Sequence, residues 1–339
     1  MEIRVSRSAP RVLSALLGML LLASAASAQR EYRRFLQDQN LNNLVHPEGY
    51  QTGPPDTLGR VRTVGNGAQA MVLIAGMGFG DDIFDTFMEQ HKQQFTMYAV
   101  TLAGFGGTPA PPMPPAGTSY GEQIWTRGAQ RAVEALIKEK QLHRPILVGH
   151  WIIGTQVALG LALEKPEMVR AVVLISGVTK MPTRSPPATL KDRVAEVDNV
   201  WAPRWFKTVT QDTWDDNNFL PRDYAIHPVR ALQLWRQAAQ PTLPTNVHYG
   251  LESRAQDVTL EIPKLKVPVL ALIPGFDEEF FAGPHNSEYM RWFCHQSWEG
   301  LEGKSEFLEM KTIAGSRVFM MDDKPEEFEK ALADFLGKL

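Results

Sequence analysis

The sequence predicts an α/β fold in which a mostly parallel sheet is covered by helices on both faces. Short, continuously apolar runs recur along the chain, as strands buried on both faces of a parallel sheet require. Stretches with apolar residues at helical spacing alternate with those runs. Glycine-rich turns follow several of them and punctuate the alternation.

The chain has 339 residues, 44% of them hydrophobic and 22% charged, enough for one large domain with an insertion. A net charge of -3 gives no basic field for nucleic acid, so that class of partner is set aside. The single cysteine, Cys294, excludes an internal disulfide and a multi-cysteine zinc site. At the N-terminus, Arg4, Arg7 and Arg11 precede the apolar run Val12 to Leu22, and Ala26-Ser27-Ala28 has the small-x-small cleavage pattern. This predicts a signal peptide over residues 1–28, cleaved after Ala28, and a secreted or periplasmic mature chain. The apolar run is shorter than the ~20 residues of a spanning helix, and no later stretch is longer. The mature chain is therefore expected not to span a membrane, and the absence of a cysteine after the run argues against a lipid anchor.

Residues 29–58 read as a polar lead-in broken at Gly53-Pro54-Pro55. Arg60 to Val64 predicts a first strand and Ala70 to Ala75 a buried one, ending at Gly76-Met77-Gly78-Phe79-Gly80. Asp81 and Asp82 then suit the N-terminus of a helix over Ile83 to Gln90. Met97 to Leu102 is the next strand, followed by a proline-rich loop, Pro109 to Pro115. Ile124, Ala129, Ala132, Val133, Leu136 and Ile137 make Tyr120 to Glu139 an amphipathic helix. Pro145 to Gly177 reads as a buried strand, a tight glycine turn, an apolar helix and the strand Ala171 to Ser176. From 179 to 263 the alternation stops. This segment, rich in proline and holding Trp201, Trp205, Trp214 and Trp235, is too long for a connection and reads as a helical lid insertion. Val267 to Ile273 resumes the sheet. Tyr289 to Trp298 predicts a helix, Phe307 to Ile313 a strand, and Pro325 to Leu336 a final helix with proline in its first turn. The core is thus expected at 59–178 and 264–339.

From about Arg60 to Leu339 this order of parts resembles the α/β-hydrolase family. The resemblance rests on Gly76-Met77-Gly78, Gly104-Phe105-Gly106, Val148-Gly149-His150, the helix from Gln156 to Arg170, Gly275-Phe276-Asp277 and Pro325 to Phe328. It implies the α/β-hydrolase fold and a site in which a histidine, oriented by an acid, activates a serine at a G-x-S-x-G elbow. The nucleophile position falls at Trp151 when counted from Gly149-His150, and at Ile152 when counted back from Gly154. Neither side chain can attack a carbonyl, and the nearest hydroxyl is that of Thr155, in the first helical turn. The loop from Gly315 to Pro325 is similar to family loops of the form S-R-H-F-x-M-x-D-x-P, with Val318 where the histidine belongs. No histidine follows His295. Asp277 keeps the acid position, with Glu278 and Glu279 beside it; capping the next segment is its competing role. An oxyanion hole needs only backbone N–H groups, which Met77, next to Gly78, and Ile152 or Ile153 would supply.

His150 as a base, Cys294 paired with a histidine, and a metal set of His285, His295, Asp277 and Glu278 have no supporting spacing. No phosphate loop or dinucleotide fingerprint occurs, so no cofactor and no metal are expected. Two readings remain. One is a non-catalytic protein of this fold that binds a small, largely apolar ligand, or a partner, in a lidded pocket walled by Trp151 and the insertion's tryptophans. The other is an ester-type hydrolase or a lyase with an atypical site around Thr155, Asp277 and His150, which rests on analogy of fold. The sequence carries no signal for the oligomeric state.

Overall fold

The computed structural model describes residues 52–181, 183, 187, 189–208, 219–282 and 287–339. The expected signal peptide, most of the lead-in, Trp214 and His285 lie outside the described residues. Seven strands form one sheet: β1 (Leu58–Val64), β2 (Gln69–Ile74), β3 (Phe95–Leu102), β4 (Ile146–His150), β5 (Ala171–Ile175), β6 (Val269–Gly275) and β7 (Leu308–Ala314). Their spatial order is β1-β3-β2-β4-β5-β6-β7. Every pairing is parallel except that of β1 with β3, which is antiparallel with Val61 opposite Val100. Burial follows position. β4 and β5 are buried along their whole length, whereas the edge strand β1 exposes Arg60 and Val61, and its charges suit an unpaired edge. β6 starts at Val269 and not at Val267. Pro268 has no N–H for the ladder, and only its carbonyl takes part, accepting from Val172 N–H at 2.9 Å.

The helices follow the expected order with local breaks. A 3₁₀ turn (Asp81–Phe84) precedes α1 (Asp85–His91). The helix expected over Tyr120 to Glu139 is divided, because Gln123 is left-handed at φ 53; a 3₁₀ turn (Tyr120–Glu122) stands before it and α2 (Ile124–Glu139) after it. Helix α3 (Ile153–Glu164) packs on β4 and β5 with its first ten residues buried. The chain closes with α12 (Pro325–Leu336), where its proline predicts it.

Between β5 and β6 lie α4 (Leu190–Glu196), a π turn (Val197–Trp201), α5 (Ala202–Thr208), α6 (Pro221–Tyr224), α7 (Pro228–Ala238) and α8 (Leu243–Ala255). After β6 come α9 (Glu278–Ala282) and α10 (Ser287–Cys294), and after β7 the short α11 (Met320–Asp323). Helix α8 is buried at all thirteen positions. Its Ser253 hydroxyl donates to Gln156 Oε1 of α3 (3.1 Å) and its Tyr249 hydroxyl to the Ala103 carbonyl after β3 (3.1 Å). Arg193 of α4 donates to the carbonyls of Met181 and Arg254. No helix of the described residues is long and apolar enough to cross a membrane.

Candidate active site

The ends of β2, β4 and β6 bring together the positions that the resemblance marks. The turn after β4 places two consecutive residues in the left-handed region, Trp151 at φ 42 and Ile152 at φ 50 with ψ -100. For a bulky and a β-branched side chain this is strained backbone. The two candidate nucleophile positions, one counted from the strand and one from the helix, are thus the two positive-φ residues of the turn. Glycine makes the close packing around it fit: a Cβ on Gly149 would lie 2.4 Å from the Gly154 carbonyl, and one on Gly154 2.6 Å from that of Ile74.

Trp151 does not project into solvent. Its side chain is buried, with ring centroids 5.1 Å from both Phe219 and Phe293. Its N–H donates to the Ile175 carbonyl (3.0 Å), and its own carbonyl accepts the Met77 N–H (3.2 Å). The donor expected to face a substrate oxyanion is therefore held by the chain itself. Gly78 beside it is left-handed (φ 89), and a Cβ there would lie 3.0 Å from Ala238 Cα of α7. Ile152 and Ile153 are also buried. Thr155 turns away: its hydroxyl donates to the Ile152 carbonyl (2.6 Å), and its side chain lies against Gly177.

Val318, where the resemblance would put the base, is fully buried, and its backbone is tied on both sides. Its N–H donates to the Asp223 carbonyl (3.4 Å), and its carbonyl accepts the Ser176 hydroxyl (2.7 Å). Asp277 is partly exposed and engaged twice. Its Oδ1 accepts the Phe280 N–H (2.8 Å), capping α9, and both carboxylate oxygens accept from Arg317 Nη2 (3.0 and 3.2 Å). Partial burial raises this carboxyl, but the Phe280 N–H and the guanidinium outweigh it and hold Asp277 below the ordinary value. Arg317 lies over the rings of Phe280 (4.6 Å) and Phe276 (5.9 Å). The Asp277 carboxylate is thus paired with a guanidinium, which does not give up its proton in a protein. Sequence reasoning passed over Arg317, because an arginine before the missing histidine is part of the ordinary family loop.

His150 lies in an aromatic shell of Phe319 (4.4 Å), Phe79 (5.7 Å) and Phe84 (6.4 Å). Its ring nitrogens meet no well-aligned hydrogen-bond partner among the described residues. Burial pushes its pKa down to about 3, and the Val318 backbone nearby offsets only part of that. It is a neutral packing residue at ordinary pH. The His295 Nε2 is bonded to the Pro274 carbonyl (2.6 Å), and burial pushes the Cys294 thiol up. Among the described residues no cluster of His, Cys, Asp or Glu is placed to hold a metal.

Comparison with known proteins agrees on the fold. In sequence the chain is similar to the pimeloyl-[acyl-carrier protein] methyl ester esterase of Klebsiella pneumoniae (strain 342), 28% identical over 115 residues. That stretch is 34% of this chain and 39% of the esterase. In structure it is similar to a thermophilic esterase from Thermogutta terrifontis (TM-score 0.59, 16% identity, 82% of this chain and 93% of that one). It is also similar to the enol-lactonase from Burkholderia xenovorans LB400 (TM-score 0.55, 17% identity, 82% and 96%). A third is the monoacylglycerol lipase of Paleococcus ferrophilus (TM-score 0.55, 18% identity, 82% and 97%). The family model for the alpha/beta hydrolase family matches residues 71–331. The chain belongs to the alpha/beta-hydrolase family.

Proposed function

We propose that this chain is a non-catalytic member of its family, exported, that binds a small and largely apolar ligand under a helical lid formed by residues 179–263. The observation that carries this is the state of the elbow: Trp151 and Ile152, the two candidate nucleophile positions, are both buried apolar side chains, and the Trp151 carbonyl accepts the Met77 N–H. Val318 and the Asp277–Arg317 pair extend the argument, since Val318 has no proton to exchange and Asp277 is held ionised by Arg317 and the Phe280 N–H. Loss of triad members costs ~10⁴- to 10⁶-fold in rate. Arg4 to Ala28 is the support for export.

The test is incubation of the purified mature chain with p-nitrophenyl acetate, p-nitrophenyl butyrate and a fluorophosphonate probe. Neither turnover above a heat-denatured control nor covalent labelling is expected. Turnover, or stoichiometric labelling abolished by Thr155→Ala, would overturn the reading. A thermal-shift screen of apolar compounds on the wild-type protein is its positive arm. Mass spectrometry of the exported protein checks the new N-terminus, expected at Gln29.

The second reading, an ester-type hydrolase or lyase with an atypical centre, is favoured by the likeness to esterases and an enol-lactonase. That support is fold analogy. The same assays decide between the two.

A further inference from the structure

We propose that the outer edge of β7 is a docking surface for a second copy of this chain, whose β7 pairs with it antiparallel about a two-fold axis at Met310. The inference concerns assembly and stands independently of how the elbow is read.

The sheet ends in two edges, β1 and β7. The edge at β1 is guarded. Arg60 and Arg62 carry one sign, both pair with Asp81, and a register shift near Leu58 interrupts the strand. Charge of one sign and an irregular backbone keep an edge from pairing. β7 lacks both devices, and from Leu308 to Ala314 it keeps an unbroken register with β6. Its odd-numbered residues spend their backbone groups on β6. At one end the Phe307 carbonyl accepts the Val269 N–H (2.7 Å), and at the other the Gly315 N–H donates to the Gly275 carbonyl. Strand geometry then turns the N–H and C=O of Met310 and Thr312 outward. Among the described residues no backbone group meets them.

The side chains choose the register. An axis at Met310 sets Glu309 of each copy opposite Lys311 of the other. An axis at Glu309 would oppose two glutamates, and one at Lys311 two lysines. Opposite charges across a strand pair stabilise it, and like charges destabilise it. The Met310 axis also has the right parity, because two outward-facing residues exchange both of their hydrogen bonds. Thr312 N–H of each copy then donates to the Leu308 carbonyl of the other. Glu309 and Lys311 already meet Lys338 (2.7 Å) and Asp334 (3.8 Å) of their own chain, so both charges lie on one face of the sheet. Such a contact uses the same patch twice and closes as a dimer.

The experiment is analytical ultracentrifugation of the purified exported protein at up to about 100 µM, where a dimer is expected. Met310→Cys should form an interchain disulfide on mild oxidation. Residues opposed in a hydrogen-bonded pair have Cα atoms about 5.5 Å apart, within the span of a disulfide. Thr312→Cys, which faces Leu308 of the second copy, should not. Cys294 is buried and supplies no competing thiol. Glu309→Lys opposes lysine to lysine and should weaken the dimer about tenfold. Adding Lys311→Glu to it restores opposite signs and should restore the dimer. Val61→Lys, on the other edge, should leave it unchanged. A wild-type protein that stays monomeric would overturn the proposal. So would equal cross-linking at Met310→Cys and Thr312→Cys, or a double variant no tighter than Glu309→Lys. If the charge variants do not fold, the two cysteine variants decide.

Discussion

His150 and His248 are both buried, one at the end of β4 beside the elbow and the other on α8. The first sits among Phe79, Phe84 and Phe319. The second stacks on Trp125 with centroids 4.1 Å apart, and its Nε2 meets Glu252 Oε1 at 3.1 Å. Glu252 in turn accepts the Trp125 N–H (2.9 Å), the Thr126 N–H (2.8 Å) and the Thr126 hydroxyl (2.7 Å). A buried carboxylate there has its oxygens filled by the orphan donors of the α2 N-terminus, where negative charge is favoured. The elbow end of the sheet, where the family does its chemistry, is filled with apolar bulk. The dense hydrogen bonding lies where α8 meets α2. Polar groups fasten α8 to α2, whereas the side chains of Trp151, Ile152 and Val318 are apolar.

Removing the centre of the polar region is expected to have the largest effect. Glu252→Ala leaves two N–H groups, a hydroxyl and an imidazole without their acceptor, and a loss of about 3–5 kcal/mol is expected in urea unfolding. Glu252→Gln, which keeps the shape and part of the acceptance, should lose less. A loss below about 1 kcal/mol for the alanine variant would mean that this junction does not fasten α8.

The apolar region can be challenged by restoring what the family resemblance lacks. Ile152→Ser with Val318→His puts a serine and a histidine at two triad positions. No gain in p-nitrophenyl acetate turnover is expected, because Met77 N–H stays on the Trp151 carbonyl and Asp277 stays on Arg317. A stability loss of about 2–3 kcal/mol is expected, from burying an imidazole in place of Val318. A hundredfold gain in turnover would show that the site lacks only two side chains, and the contrast between the regions would fail.

The fold was legible because its signals are local. The all-apolar runs around Val72, Val148 and Val173 required strands buried on both faces, and Pro325 marked the final helix at its first residue. The edge strand β1 was recognisable as a strand, but its antiparallel pairing depends on which neighbour it meets. At the site, the apolar character of Trp151, Ile152 and Val318 could be read directly. The partners they meet could not. The bond from Met77 to Trp151 joins residues 74 positions apart. The Arg317–Asp277 pair spans 40 positions. Glu252 reaches α2 across more than 120 positions, which no periodicity encodes.

A smaller effect lies within the elbow region and is read by pH. Asp223 of α6 is buried, and burial raises its carboxyl to about 7 against the Leu220 N–H, Arg222 and Arg317. Folded protein keeps this proton where unfolded chain has lost it, so the group favours folding below about pH 4. That contribution is lost as the pH rises towards 7. His150 works in the opposite sense. Its depressed pKa favours folding above pH 6.5, and the gain is lost as the pH falls towards 3. In wild type the two oppose each other. Asp223→Asn removes only the first, so its stability should climb with pH between about 4 and 6.5, by on the order of 1–4 kcal/mol. Parallel pH profiles for variant and wild type would show that Asp223 titrates normally.

The smallest expected effect is at Asp277, and it is informative because it is small. Its carboxylate is partly exposed, caps α9 through the Phe280 N–H and pairs with Arg317. The carboxylate is 41% exposed but Arg317 only 9%, so the half-solvated pair contributes about 1 kcal/mol, and a helix cap adds about 1 kcal/mol. Asp277→Ala should therefore cost about 2 kcal/mol, and Asp277→Asn, which keeps an oxygen for the cap, about half of that. If the chain hydrolysed esters through an acid at this position, the asparagine variant would lose ~10⁴-fold in kcat, as loss of the orienting acid does in a working triad. One variant thus separates the readings by the ratio of two measurements. An unchanged background rate with a stability loss near the capping value is the signature of a carboxylate that has become a structural part. A collapse in rate with unchanged stability is the signature of one that still has an imidazole to orient.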